Sequence, residues 1–249
     1  MPDWRFWLPL PGLLPQALRV RANALRLPAA AGETEGELPG DSPPLRLLLI
    51  GDSIIAGVGV AQLIDAFPGQ LARALGRRSG RAVQWQALGV GGLDSGEVLQ
   101  QLLPRIQAEV PFDLACLSVG VNDVTGLTSR RRWRDRLQQL HSGLQQRAHR
   151  SLHLGLPPLD RFPVLPAGLR RSFGHRARQL DAIAGQLAAA DPCRLHLPMQ
   201  TLPEADQFAA DGFHPNGPAC GLWADDVVER LLQAWPELVQ SDSTASQDG

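Results

Sequence analysis

Neither lysine nor tyrosine occurs among the 249 residues, so all 24 basic side chains are arginine. A lysine Schiff base, a P-loop lysine, a Ser-Lys dyad and a catalytic tyrosine are thereby excluded. Cysteine is scarce: Cys116, Cys193 and Cys220 are odd in number, far apart and without a C-x-x-C pair. That argues against a disulfide framework or a zinc site. Cys116 sits in an apolar run and reads as a small buried thiol rather than a nucleophile. Neither charge sign dominates, with 24 basic against 25 acidic groups and a net charge of -1, so there is no electrostatic footprint for nucleic acid. No apolar stretch reaches the roughly 20 residues that a spanning helix needs. What remains, 44% hydrophobic and 20% charged, is the composition of one soluble globular domain.

The first 27 residues carry Trp4, Phe6, Trp7 and many leucines, yet Pro9, Pro11 and Pro15 interrupt them and Asp3 and Arg5 break the apolar run. They lack the pattern of a cleavable leader and read as an N-terminal arm packed on the domain, with weak membrane-surface contact as the alternative. With neither leader nor span, the expected location is the cytoplasm. Residues 29–44, rich in Gly, Pro, Glu and Ser, read as a linker. The expected division is therefore arm and linker over 1–44, a folded domain over 45–239, and a disordered tail over 240–249 that holds no large apolar residue.

From Leu45 onward short apolar runs alternate with longer helical patterns. Strands are expected at 45–50, 82–88, 113–119, 151–156 and 194–197. Helices are expected at 62–75, with Pro68 breaking or restarting the first, then at 95–109 with Ser95 as N-cap, 129–150, within 166–190, and at 217–238. Strands joined through helices pair in parallel by right-handed crossovers, which predicts an α/β fold of three layers. Functional groups in such sheets gather at the carboxyl ends of the strands. There stand Gly51-Asp52-Ser53, Gly89-Val90-Gly91-Gly92-Leu93-Asp94-Ser95 and Gly120-Val121-Asn122-Asp123, with Asp211-Gly212-Phe213-His214 before the last helix.

These clusters suit acyl transfer. Ser53 follows a buried strand at a Gly-led turn, His214 can take its hydroxyl proton, and Asp211 can orient the imidazole. The Ser53 N–H, a glycine N–H of the second cluster and the Asn122 amide can stabilise an oxyanion. The four clusters, in this order and spacing, resemble the blocks of the SGNH hydrolases, also called the GDSL lipase/esterase family, from about Leu45 to Leu238. The resemblance implies a flavodoxin-like, five-stranded parallel sheet, a catalytic triad of Ser53, His214 and Asp211, and an oxyanion hole of Ser53, Gly92 and Asn122, with Gly91 as the fallback for Gly92. It implies no metal and no cofactor.

The reading that follows is a serine ester hydrolase acting on a small-molecule acyl ester of short to medium chain. A carbohydrate O-deacetylase, a thioesterase or lysophospholipase on the same site, and a non-catalytic acyl- or sugar-binding module are the alternatives. The segments 124–129 and 156–168 are too short for a large lid, so an open crevice is expected. Ile54 and Ile55 predict an apolar wall beside Ser53. Asp52 and Asp123 are read as ties within their loops, and a metal site of Asp52, Asp123 and His214 is the lesser alternative. His141, His149, His153, His175 and His196 read as surface or packing residues. The run Arg130 to Arg136, which opposes a helix dipole, reads as a solvated face or as a handle for an anionic part of the substrate.

Overall fold

A run such as Leu45 to Ile50, apolar but for Arg46, is stable as a strand only when both faces of its sheet are covered. The computed structural model describes residues 4–8, 10–107, 109–199 and 204–238. Its sheet comprises β1 (Glu35–Leu38), β2 (Asp41–Gly51), β3 (Arg81–Gly89), β4 (Phe112–Ser118), β5 (Ala148–Leu154) and β6 (Arg194–Leu197), in the order β1-β3-β2-β4-β5-β6. Leu45, Leu47 and Leu49 enter one core and Leu48 and Ile50 the other, as strand alternation requires.

The strands β3-β2-β4-β5-β6 are all parallel, in the flavodoxin-like order. The sheet nevertheless has six strands rather than five. The segment read as a linker supplies β1, antiparallel to β3 at the edge. Its exposed Glu35 and Glu37 pair with Gln86 and Gln84, so the strand is held by its backbone ladder and polar partners rather than by an apolar face.

Eight α-helices occur among the described residues: α1 (Trp4–Trp7), α2 (Leu10–Asn23), α3 (Phe67–Ser79), α4 (Ser95–Glu97), α5 (Val121–Thr125), α6 (Arg130–Gln145), α7 (Ala167–Ala188) and α8 (Gly217–Ala234). α3 and α8 cover one face of the sheet, through Phe67, Leu71, Leu75, Val227 and Leu231. α6 and α7 cover the other, through Trp133, Leu137, Leu140, Leu180 and Ala184. The Trp133 indole N–H donates to the Leu180 carbonyl at 2.9 Å and ties these two helices together.

Several expected boundaries move. The helix expected from 62 is interrupted, as its proline suggests: a 3₁₀ turn at Leu63–Asp65 ends at Ala66, and α3 restarts with Pro68 in its first turn, where a missing N–H costs nothing. The helix expected over 95–109 holds its α form only to Glu97, then widens to a π turn and tightens to a 3₁₀ turn at Leu103–Arg105, which contains Pro104. Its N-cap is Asp94, not Ser95: the Asp94 carboxylate accepts the N–H groups of Gly96 and Glu97 while Glu97 accepts the Asp94 N–H. α6 stops at Gln145, and β5 begins earlier than expected, at Ala148.

The arm packs on α7. Phe6 is fully buried with its ring under the Arg176 guanidinium, and Arg176 donates to the Thr128 carbonyl. Three of the scattered histidines come together in the interior: His141, His153 and His196 stand in a row, with ring centroids 6.1 and 5.7 Å apart. Burial pushes His141 down to about 4, and His196 bonds Asp181 at 2.7 Å. No helix is long and apolar enough to cross a membrane among the described residues. The tail at 240–249 lies outside them.

Candidate active site

The chain leaves β2 toward β3 on one side and returns to β4 on the other, so a crevice opens at the carboxyl ends of β2 and β4. Ser53 stands two residues beyond the end of β2. Its turn is folded by Ala56 N–H to Asp52 O and Val58 N–H to Ser53 O, both at 3.0 Å, and is anchored to β4 by Asp52 N–H to Ser118 O at 3.0 Å.

Two glycines let backbone segments close around that turn. A Cβ on Gly89 would lie 2.3 Å from the Ala56 nitrogen, so the end of β3 touches the turn with nothing larger than hydrogen between them. A Cβ on Gly59 would lie 2.9 Å from Ala209 Cβ and 3.2 Å from His214 Cβ, where the turn meets the loop before α8.

That loop is itself pinned. Ala209 N–H donates to His214 O at 2.8 Å and Asn216 N–H to Gln207 O at 2.9 Å, folding 207–216 back on itself. Phe162 packs its ring against Phe208 and Phe213, with centroids 5.8 and 5.1 Å away. Within the loop, Asp211 Oδ1 accepts the N–H groups of Phe213 and His214 at 2.9 and 3.0 Å, and Asp211 Oδ2 lies 2.6 Å from His214 Nδ1. Burial raises the Asp211 carboxyl, but the bond from the His214 ring and the two backbone N–H bonds outweigh it and hold the carboxyl below its ordinary range. A carboxylate only accepts, so Nδ1 carries the proton and Nε2 is left as an acceptor. Nε2 stands 2.9 Å from Ser53 Oγ.

Asn122, at the start of α5, donates from Nδ2 to the Leu93 carbonyl at 2.9 Å, which fixes its amide and leaves a second N–H available. Gly92 lies next to that carbonyl, at a φ of 87° and with open space where a Cβ would stand. A Cβ on Gly91 would come 3.9 Å from Ser53 Cβ. The structure thus brings Ser53, His214 and Asp211 together and ties Asn122 to the Gly92 loop.

The neighbouring carboxylates have other tasks. Asp52 Oδ1 accepts from Ile54 N–H at 3.3 Å and Ser118 Oγ at 3.2 Å, and burial raises its carboxyl to about 7. Buried Asp123 accepts the N–H and hydroxyl of Ser95 at 2.9 and 2.7 Å. Arg136 is not a free substrate handle: it reaches back to Asp94 at 3.1 Å and Asp123 at 3.5 Å, binding the second loop to the third. Asp123 is thus engaged by Ser95 and Asp52 by Ser118, and among the described residues no cluster of three or more His, Cys, Asp or Glu side chains is arranged as a metal site.

A pocket of about 330 Å³ opens beside Ser53 and His214. Ile54 belongs to its wall, with Leu154, Leu156, Phe162, Phe208, Phe213 and Trp223. Phe208 and Trp223 were not singled out in the sequence. Phe208 lies in an irregular loop and Trp223 on a helix, so neither follows from a motif.

Residues 49–219 match the GDSL-like lipase/acylhydrolase family. A GDSL-like esterase of Mycobacterium tuberculosis is 29% identical over 209 residues, which cover 81% of this chain; the chain spans 65% of that relative's length. Among solved structures, TesA superposes with a TM-score of 0.60 at 22% identity, covering 76% of this chain and 98% of its own. The lipase/acylhydrolase of Enterococcus faecalis superposes with a TM-score of 0.58 at 20% identity, covering 75% and 95% respectively. These two structures share the fold.

Proposed function

The chain belongs to the GDSL-like lipase/acylhydrolase family, and from that premise and the site's geometry we propose a carboxylic ester hydrolase working through a covalent acyl-enzyme. One observation carries the reading: His214 Nε2, 2.9 Å from Ser53 Oγ, has its other nitrogen held by Asp211 at 2.6 Å. Ser53 Oγ attacks the ester carbonyl carbon as its proton passes to His214 Nε2. The N–H groups of Ser53 and Gly92 and the Asn122 amide stabilise the oxyanion. Collapse breaks the ester C–O bond, and His214 returns the proton to the departing alcohol. A water molecule then gives its proton to His214 and its oxygen to the acyl carbon, releasing the acid and restoring Ser53. Asp211 supports the imidazolium at both steps.

The substrate proposed is a small-molecule ester with a short to medium acyl chain. The volume of about 330 Å³ lies at the lower end of the range for small-molecule sites, and a wall of leucines and phenylalanines favours an alkyl chain over a sugar. Cytoplasmic placement belongs to the same reading and is supported by three cysteines that are all free.

The test is a hydrolysis panel of acyl esters and thioesters from acetyl to palmitoyl, with Ser53→Ala as the blank. Activity peaking at short or medium chains is expected. A sharp optimum at long chains overturns the chain-length proposal, and wild-type turnover by Ser53→Ala overturns the mechanism.

A further inference from the structure

Ten large apolar side chains are exposed among the described residues, and five of them, Trp7, Leu8, Leu14, Leu18 and Leu25, fall between positions 7 and 25. Helix α2 explains how they stay exposed. Leu13, Ala17 and Val20, at helical spacing, pack on the core, while Leu14 and Leu18, each one position further on, leave it at 57% and 58% exposure. The arm is thus anchored by one stripe and presents a second.

The same segment is basic in sequence, and its Arg19 and Arg26 are exposed. Residues 1–32 hold Arg5, Arg19, Arg21 and Arg26 against Asp3 alone, a net of +3, so the remainder of a chain of net -1 carries -4. A second copy docking here through a two-fold axis would set +3 against +3. An anionic bilayer offers both the opposite charge and an apolar medium, while repelling the rest of the molecule.

We propose that the N-terminal arm docks on an anionic lipid surface through Trp7, Leu8, Leu14 and Leu18, with Arg19 and Arg26 facing the lipid headgroups. Docking there brings the pocket close to the bilayer. Gly168, in the first turn of α7, leaves room for Leu13, since a Cβ there would lie 2.6 Å from the Leu13 side chain. The segment leading into that turn supplies Leu156, Pro157 and Phe162 to the pocket and exposes Val164.

The test uses full-length Ser53→Ala protein, which separates lipid binding from any catalytic reading. It is sedimented with vesicles of phosphatidylcholine alone and of equal parts phosphatidylcholine and phosphatidylglycerol. Binding to the mixed vesicles is expected, weakened by salt and absent on phosphatidylcholine alone. Leu14→Glu with Leu18→Glu should lower it tenfold or more, and Arg19→Gln or Arg26→Gln about fivefold each. The same leucine changes in the otherwise wild-type chain should leave hydrolysis of a water-soluble ester unchanged, which shows that the domain is folded. Three results overturn the proposal: no sedimentation with mixed vesicles, undiminished binding by the leucine variant, or a dimer in ultracentrifugation that the leucine variant abolishes without any vesicle binding.

Discussion

His214 and Ser53 stand 161 positions apart in the chain and 2.9 Å apart in space, and Asp211, 2.6 Å from the other ring nitrogen, completes a hydrogen-bonded line. Ser53→Ala should lower kcat by about 10⁴-fold or more, with an unchanged circular dichroism spectrum. Asp211→Asn keeps the shape but can donate to Nδ1 and so favours the wrong tautomer; a loss of about 10⁴-fold in kcat is expected. Steady-state kinetics on one soluble ester reads both.

The Asn122 amide, held by the Leu93 carbonyl, contributes to the oxyanion in the proposed reaction. Asn122→Ala should cost about 10²–10³ in kcat with KM little changed, because the bond is made chiefly in the transition state. A change confined to KM would remove Asn122 from that role.

Asp52 makes stability depend on pH with an unusual sign. Burial raises its carboxyl from 3.8 to about 7, so between those values the folded chain binds more protons than the unfolded one. Its contribution to stability is then present below the unfolded value, is lost as pH rises through about 7, and is constant above. Asp52→Asn should therefore gain stability relative to the parent at alkaline pH, on the order of 2–4 kcal/mol, and little at pH 4. Urea unfolding at the two pH values checks it.

Arg136 meets one carboxylate that is partly exposed, Asp94, and one that is fully buried, Asp123. Arg136→Met keeps the aliphatic stem but leaves Asp123, whose carboxyl burial already raises, without its cation. A loss of about 1–3 kcal/mol in urea unfolding is expected, together with a lower kcat, since Asp123 adjoins Asn122. Gly96→Ala should act in the same direction, because its Cβ would lie 2.5 Å from the Arg136 guanidinium.

The parallel part of the fold was legible because its strands announce themselves: Leu45 to Ile50 and Leu114 to Leu117 are apolar on both faces, and a glycine follows each within a few positions. β1 was not, since Glu35, Gly36 and Glu37 form an edge through main-chain bonds that leave no apolar pattern. The polar residues of the site were legible for a local reason. Ser53 stands two residues past its strand, and Asp211 and His214 share one turn, so spacing in the chain reflects spacing in the molecule. The pocket wall lacks that locality. Leu154, Phe162, Phe208 and Trp223 come from four separate segments and meet only once the sheet is assembled. The same holds for Arg136, which lies inside an arginine run and is distinguished from its neighbours only by facing Asp94 and Asp123.

The contact of Gly89 with the Ser53 turn separates two things that could vary together. Ser53 is placed by main chain lying on main chain, with no side chain between β3 and the turn to be exchanged. Substitutions at Leu154, Phe162 or Trp223 can therefore reshape the pocket while the Ser53 turn keeps its seat against β3. Pocket shape and the seating of Ser53 thus rest on different residues, and Gly89 belongs to the second set.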